Sequence, residues 1–315
     1  MGSNIVFSLN ATIPLFLVMA LGYFLKKINI IRGDFESVCN KLNFTVTLPV
    51  LLFTDLAGMD IRESFDLKFV LFCAGATTIG FFGIWGLSRL FMKDKSDIGE
   101  FVQVSYRSSA AVMGLALIQN IYGTTGMAGL MMLGCVPLYN IFAVIVLEVE
   151  SSRSSSGKGR AKKVLLGIIK NPIIIGIILG MISSLLRIQY PTIIATSLNY
   201  IARIATPLAL LCIGVTFEFK DAFGKIGKSA TAAIIKLIIL PVVFVPIAIL
   251  MGFGTEKLVA IFVMLAGPST PSCYIMARSY GYDGILTSST VVLTTLFSSV
   301  TLTVFIFILR SMGYI

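Results

Sequence analysis

The chain has 315 residues, of which 57% are apolar and 13% charged, with a mean hydropathy of +0.94. Soluble chains carry about 25% charged residues, so an ordinary water-soluble domain is excluded. The net charge of +10 does not imply nucleic acid, because Lys and Arg collect in the cytoplasmic loops of membrane proteins. Histidine is absent, which excludes a histidine proton relay, a histidine-held metal and a His-based triad. The five cysteines, Cys39, Cys73, Cys135, Cys212 and Cys273, fall singly within apolar runs. They read as small hydrophobes, not as a disulfide or metal framework.

Apolar runs recur from end to end, so the expected fold is an all-α polytopic membrane protein with ten spans. The first, roughly 5–28, lacks the basic flank of a signal peptide. The second, 36–57, carries Lys41, Asn43, Pro49 and Asp55. Asn43 either faces the interior or makes an interhelical hydrogen bond. The third is 68–92. The fourth, 100–120, contains Arg107, Ser108, Ser109 and Gly114. The fifth, 127–149, has Tyr139 and Asn140 just after Pro137. Residues 150–163, reading ESSRSSSGKGRAKK, have the composition of a solvated linker. Spans at 164–186, 192–217 and 229–252 follow, with Arg203 and Lys236 inside the last two.

The ninth span, 257–279, is interrupted by AGPSTPS at 266–272. Pro268 and Pro271 each lack an N–H and clash with the preceding turn, so with Gly267 they predict unwound backbone at membrane depth. Such backbone is tolerated where it is buried in protein or lines a wet cavity. Ser269, Thr270 and Ser272 place hydroxyls there. The tenth span is 284–309. Lys and Arg number 16 in the odd-numbered connections against 5 on the other side. That bias puts odd connections in the cytoplasm and both termini outside.

Sliding the chain by 158 residues superimposes Pro14, Leu21 and Gly22 on Pro172, Leu179 and Gly180. It also places Pro49 on Pro207, and Tyr122, Gly123 and Gly126 on Tyr280, Gly281 and Gly284. These coincidences predict two repeats, 1–149 and 164–315, joined by the 150–163 linker. Five spans per repeat force the second to insert upside down, a design of secondary transporters whose sites lie at broken helices. The same offset moves the 266–272 break to 108–114, SSAAVMG, in the fourth span. The two breaks are expected to cross at mid-membrane, with Gly114, Gly267, Pro268 and Pro271 shaping them.

Four cations lie inside spans: Lys41, Arg107, Arg203 and Lys236. A charge at the bilayer centre costs at least about 2.5–3.5 kcal/mol on insertion scales. Lys41, Arg203 and Lys236 are expected to snorkel to the interface. Arg107 directly precedes the fourth-span break, where exposed helix N-termini favour anions. No carboxylate is expected at mid-membrane.

Several motifs resemble the auxin efflux carrier family. They are TLPVLLF at 47–53, VMGLALIQNIYG at 112–123, VPLYN at 136–140, NP at 171–172, TPLALLCIG at 206–214, AGPSTPSCYIMARSYGYD at 266–283 and SSTVVLTTLFSSVTL at 288–302. Their order and spacing cover essentially the whole chain. The family implies ten spans in two inverted five-helix repeats with crossed breaks in helices 4 and 9. It also implies a scaffold of helices 1, 2, 6 and 7 and a moving unit of helices 3–5 and 8–10. Ser109 stands where the family commonly has Asn, and Ala116 where it often has Pro. The chain resembles the short microbial type, which is associated with organic anions such as malate or malonate.

The leading expectation is a multi-pass plasma-membrane carrier, not an enzyme, moving a small carboxylate by elevator-type alternating access. Arg107, Ser108, Ser109, Asn43, Tyr139, Asn140, Ser269, Thr270 and Ser272 are the candidate substrate-binding residues. Rival readings are a sodium-coupled symporter of the same fold and a non-transporting membrane sensor. The expected partners are a small organic anion and membrane lipid, with a homodimer as the candidate oligomer. No cofactor or metal is expected beyond a coupling Na⁺ or H⁺.

Overall fold

The architecture comes from a computed structural model that describes residues 2–31, 34–58, 66–110, 118, 127–151, 160–217 and 223–315. All secondary structure among the described residues is helical. The helices are α1 (Gly2–Lys27), α2 (Phe35–Leu42), α3 (Leu48–Ala57), α4 (Leu67–Phe91), α5 (Ile98–Tyr106), α6 (Ala128–Glu150) and α7 (Arg160–Ile169). They continue as α8 (Pro172–Leu185), α9 (Thr192–Thr216), α10 (Ile226–Ile234), α11 (Leu240–Leu250), α12 (Thr255–Ala266), α13 (Ser272–Ser279) and α14 (Ile285–Ser311).

Proline sets several of these boundaries. A π-helical turn, Asn43–Thr47, joins α2 to α3 just before Leu48-Pro49. A second, Ile235–Ile239, joins α10 to α11 before Leu240-Pro241. A proline ring crowds the carbonyl four residues back and offers no donor to it, and widening the turn by one residue relieves both problems. Both helices therefore stay continuous. In contrast, Asn171 caps α8 by accepting from the Ile173 N–H at 2.8 Å, with Pro172 at the first helical position. The sixth expected span thus divides into α7 and α8. At about 1.5 Å per residue, the 14 residues of α8 fall short of a bilayer core about 30 Å thick. α7 starts at Arg160, inside the stretch read as linker.

Among the described residues, five helical stretches are long and apolar enough to cross a membrane: α4, α6, α9, α10–α11 taken together, and α14. Leu71, Ile79, Phe82 and Leu90 of α4 are exposed apolar side chains, as expected for a surface facing lipid. α6 is the most enclosed of the five. The five cysteines are unpaired, four buried and Cys39 half-buried.

The helices pack as two groups. α1 lies on α9, and α3 lies on α8 and α9. In the other group α4 packs on α5 and α6, α10 on α14, and α11 on α12, and α1 also packs on α14, where the two groups touch. Within the first group, backbones approach closely where glycine removes the side chain. A Cβ on Gly22 would lie 2.5 Å from the Leu211 carbonyl oxygen, and one on Gly180 would lie 2.8 Å from that of Phe53. Both residues of one contact stand 158 positions from residues of the other. Gly176 and Gly214 similarly face the carbonyls of Pro49 and Met19.

Polar contacts outside the apolar layer tie loops together. Lys225 bonds Asp97 at 2.9 Å and Asp283 at 2.8 Å, and Lys228 bonds Asp97 at 2.5 Å and Asp94 at 3.1 Å. On a different loop pair, Lys257 meets Asp66 at 2.5 Å.

Candidate functional site

Two helices are interrupted and meet. α5 ends at Tyr106, and Arg107–Ser109 are non-helical. α12 ends at Ala266, and α13 begins at Ser272 after the extended Gly267 and the two prolines. The Ser109 N–H donates to the Pro268 carbonyl at 2.8 Å, so the two breaks cross in direct contact. The Ser269 hydroxyl donates to the Val104 carbonyl at 2.6 Å, and Gln103 Nε2 donates to the Cys273 carbonyl at 3.0 Å. A Cβ on Gly267 would come within 2.5 Å of Ser108 Oγ and 2.8 Å of the Val263 carbonyl. Glycine is what lets the breaks lie this close. Gly114 lies outside the described residues.

Beside the crossing is a cavity of about 60 Å³. Eight of the candidate residues line it: Asn43, Arg107, Ser108, Ser109, Tyr139, Asn140, Thr270 and Ser272. Asp55 and Thr206 line it as well. Ser269 does not. Its hydroxyl is spent on Val104, and its N–H donates to Thr294 Oγ1 at 3.1 Å. The cavity draws on α3, the turn before it and α9 on one side, and on α6, α13 and the α5 break on the other.

Arg107 is 2% exposed. Its Nη2 donates to Asn140 Oδ1 at 2.9 Å and to Ser272 Oγ at 3.0 Å. Among the described residues its Nη1 reaches only Met276 Sδ, at 2.9 Å, and thioether sulfur is a weak acceptor. Nε has no partner, and no carboxylate among the described residues bonds the guanidinium. Removing such a cation from water costs several kcal/mol, and the described groups that bond it are all neutral. The Ser108 hydroxyl is also buried and unpartnered. The Cys273 and Tyr274 N–H groups of α13 already donate to the Thr270 and Pro271 carbonyls at 3.0 Å, so the N-terminus of α13 offers the cavity chiefly its dipole, which favours negative charge.

The remaining candidates hold this frame. Asn43 donates from Nδ2 to the Ala205 carbonyl at 2.8 Å, and its Oδ1 accepts from Thr47 at 2.6 Å. It therefore joins α9 to the π-turn while also lining the cavity. Asn140 donates to the Val136 carbonyl at 2.9 Å, which orients its oxygen toward Arg107. The Tyr139 hydroxyl donates to the Met264 carbonyl at 3.2 Å, so it is the ring that faces the cavity.

One buried charge departs from the expectation. Lys41 and Arg203 are exposed, as snorkelling requires, but Lys236 is completely buried. Its ammonium donates to the carbonyls of Leu265 at 2.6 Å and Met264 at 3.3 Å. Arg203 is just as far from the ends of α9 and yet exposed, so position along the span did not signal the burial of Lys236. Glu100 is 1% exposed and accepts from the Gly284 N–H, the Thr287 N–H and the Thr287 hydroxyl at 3.2, 3.0 and 2.6 Å. It caps the N-terminus of α14 from the adjacent α5, a partnership that depends on tertiary packing.

The profile of the membrane transport protein family matches residues 7–306. The chain belongs to this family of auxin efflux carriers. A protein of Rhizobium meliloti named "Putative malonate transporter" is 26% identical over 95% of both chains. An uncharacterized transporter of Methanocaldococcus jannaschii is 24% identical over 90% of this chain and 92% of its own. The transporter YfdV of Escherichia coli is 22% identical over 85% and 86%. This auxin efflux carrier relative is accordingly a multi-pass membrane transport protein.

Proposed function

We propose that the chain is a secondary carrier of a small organic anion, with the carboxylate held in the cavity at the crossed breaks. The observation that carries this is Arg107, a buried guanidinium facing the cavity with one nitrogen unpartnered and no acid bonded to it. A carboxylate there would complete a charge-assisted pair and meet the N-terminus of α13. The cavity is small, which suits a compact acid. The malonate transporter name of the Rhizobium meliloti relative points to the same class.

The two-group packing supports a reading of alternating access. Asn43, Asp55 and Thr206 come from the α1–α3–α8–α9 group, whereas Arg107, Asn140 and Ser272 come from the other. A site split in this way opens when one group slides past the other, which is the elevator reading. The mirrored Gly22–Leu211 and Gly180–Phe53 contacts support the inverted duplication behind it. On this reading the scaffold is the first group, the mobile unit is the second, and both termini lie outside the plasma membrane.

The test is a panel of mono- and dicarboxylates scored by thermal shift on purified protein, then by uptake into proteoliposomes. A bound ligand raises the melting temperature. Arg107→Ala is expected to weaken affinity at least tenfold, about 1.4 kcal/mol, since hydrogen bonds to charged groups contribute about 1.5–3 kcal/mol. Unchanged affinity in that variant would remove the assignment.

A further inference from the structure

Lys236 is the charged group that the carboxylate site does not use. It sits in the π-turn of α10–α11, and none of its surface reaches solvent. Its ammonium lies against the last turn of α12, immediately before the break. The last four carbonyls of any helix have no partner within it and carry the negative end of the helix dipole. Gly267 N–H satisfies Val263 O, and Lys236 takes Met264 O and Leu265 O. No carboxylate among the described residues bonds this ammonium. It is held by main-chain oxygens alone.

Carbonyls at the C-terminal ends of broken membrane helices are the groups that coordinate a bound Na⁺. Here the same kind of oxygen cluster is already occupied by a cation on a tether. We propose that the Lys236 ammonium is a built-in replacement for a coupling cation at the ninth-span break. The wild-type protein then neither binds nor needs Na⁺ at this position, and removing the lysine side chain uncovers a monovalent-cation site. This rests on the transporter reading only for its meaning. The site itself is tested without any substrate.

The experiment is thermal unfolding of purified protein at equal ionic strength in NaCl, in methylammonium chloride or in choline chloride, whose cation is too bulky to enter. Wild-type protein is expected to melt at the same temperature in all three. Lys236→Ala, purified in NaCl, is expected to melt several degrees lower in choline and to recover in Na⁺ or methylammonium. Lys236→Met fills the same volume without charge, and it is expected to be destabilised equally in all three salts.

A specific Na⁺ stabilisation of wild-type protein would overturn the proposal. So would a Lys236→Ala variant that ignores every cation, or a Lys236→Met variant that responds as strongly as Lys236→Ala. A Lys236→Ala variant that does not survive purification in NaCl would also count against it, because Na⁺ is expected to fill the uncovered site, and fully stable Lys236→Met would show that the position needs no cation. A protein that moves no carboxylate would sink the function proposed above and leave this result standing.

Discussion

Ser109 and Pro268 are joined by a main-chain hydrogen bond of 2.8 Å that no side chain mediates. The proline contributes twice. Its ring stops α12, and its carbonyl, freed from any helical ladder, receives a donor from the other interrupted helix. The crossing is thus a property of backbone geometry, and substitutions that leave the backbone alone should leave it intact.

Gly267→Ala is the substitution that does not leave it alone. The added Cβ would press on Ser108 Oγ at 2.5 Å and the Val263 carbonyl at 2.8 Å. The serine can rotate, but the carbonyl cannot. The expected cost is about 1–3 kcal/mol, read as a lower melting temperature, together with loss of carboxylate binding.

Gly22→Ala and Gly180→Ala should behave as a pair. Each would drive a Cβ into a carbonyl of the facing helix, Leu211 or Phe53. The two sites are far apart in sequence, yet their surroundings correspond. Each is expected to lower stability by about 1–3 kcal/mol, with the double variant near the sum. Thermal unfolding checks this, and one strongly destabilised variant beside one neutral variant would contradict the correspondence.

Asp55 shares the cavity with Arg107 and bonds no described residue. A carboxylate ligand must enter against that negative charge. Asp55→Asn is expected to tighten carboxylate binding several-fold, about 1 kcal/mol for like charges in a partly wet site. Isothermal titration with the best ligand of the panel gives the answer, and weaker binding in the variant would make Asp55 a binding group instead.

Acid should loosen the loops before it reaches the core. Bonds from the Ser96 side chain and from Lys228 hold the Asp94 carboxyl down at about 2. Asp66 is lowered by its bond to Lys257 and by the Phe69 N–H. A carboxyl with a depressed folded pKa contributes stability above its unfolded value, about 3.9. That contribution is lost as pH falls through the folded pKa. Melting temperature attributable to these groups is expected to hold from pH 7 to about 5 and to fall between about 4 and 2. Asp94→Asn should flatten that acid limb without changing the neutral plateau's shape.

What was legible in the sequence was mostly backbone chemistry. Pro268 and Pro271 announce their break locally, and the 158-residue offset carried that break to Ser108–Ser109, where no proline marks it. The structure brings these two stretches together. Asn171-Pro172 carries an equally local helix-start signal, yet the apolar run across it read as one span. Burial of a long side chain was harder to read. Lys41, Arg203 and Lys236 look alike along the chain, but only Lys236 sits on a face covered by α12. That depends on which helices become neighbours, and no window of sequence contains it.

The widened turns at Asn43–Thr47 and Ile235–Ile239 each hold one residue more than a regular helix would need. Trimming that residue from the first turn would close it to a regular one and leave the helix beyond it in register, but the Pro49 ring would then crowd the carbonyl four residues back. Leu52 and Leu56 would stay enclosed, and Asp55 would keep its place at the cavity. A one-residue gap at either turn would therefore be felt as strain at its proline, with the walls of the chamber left facing as they do now.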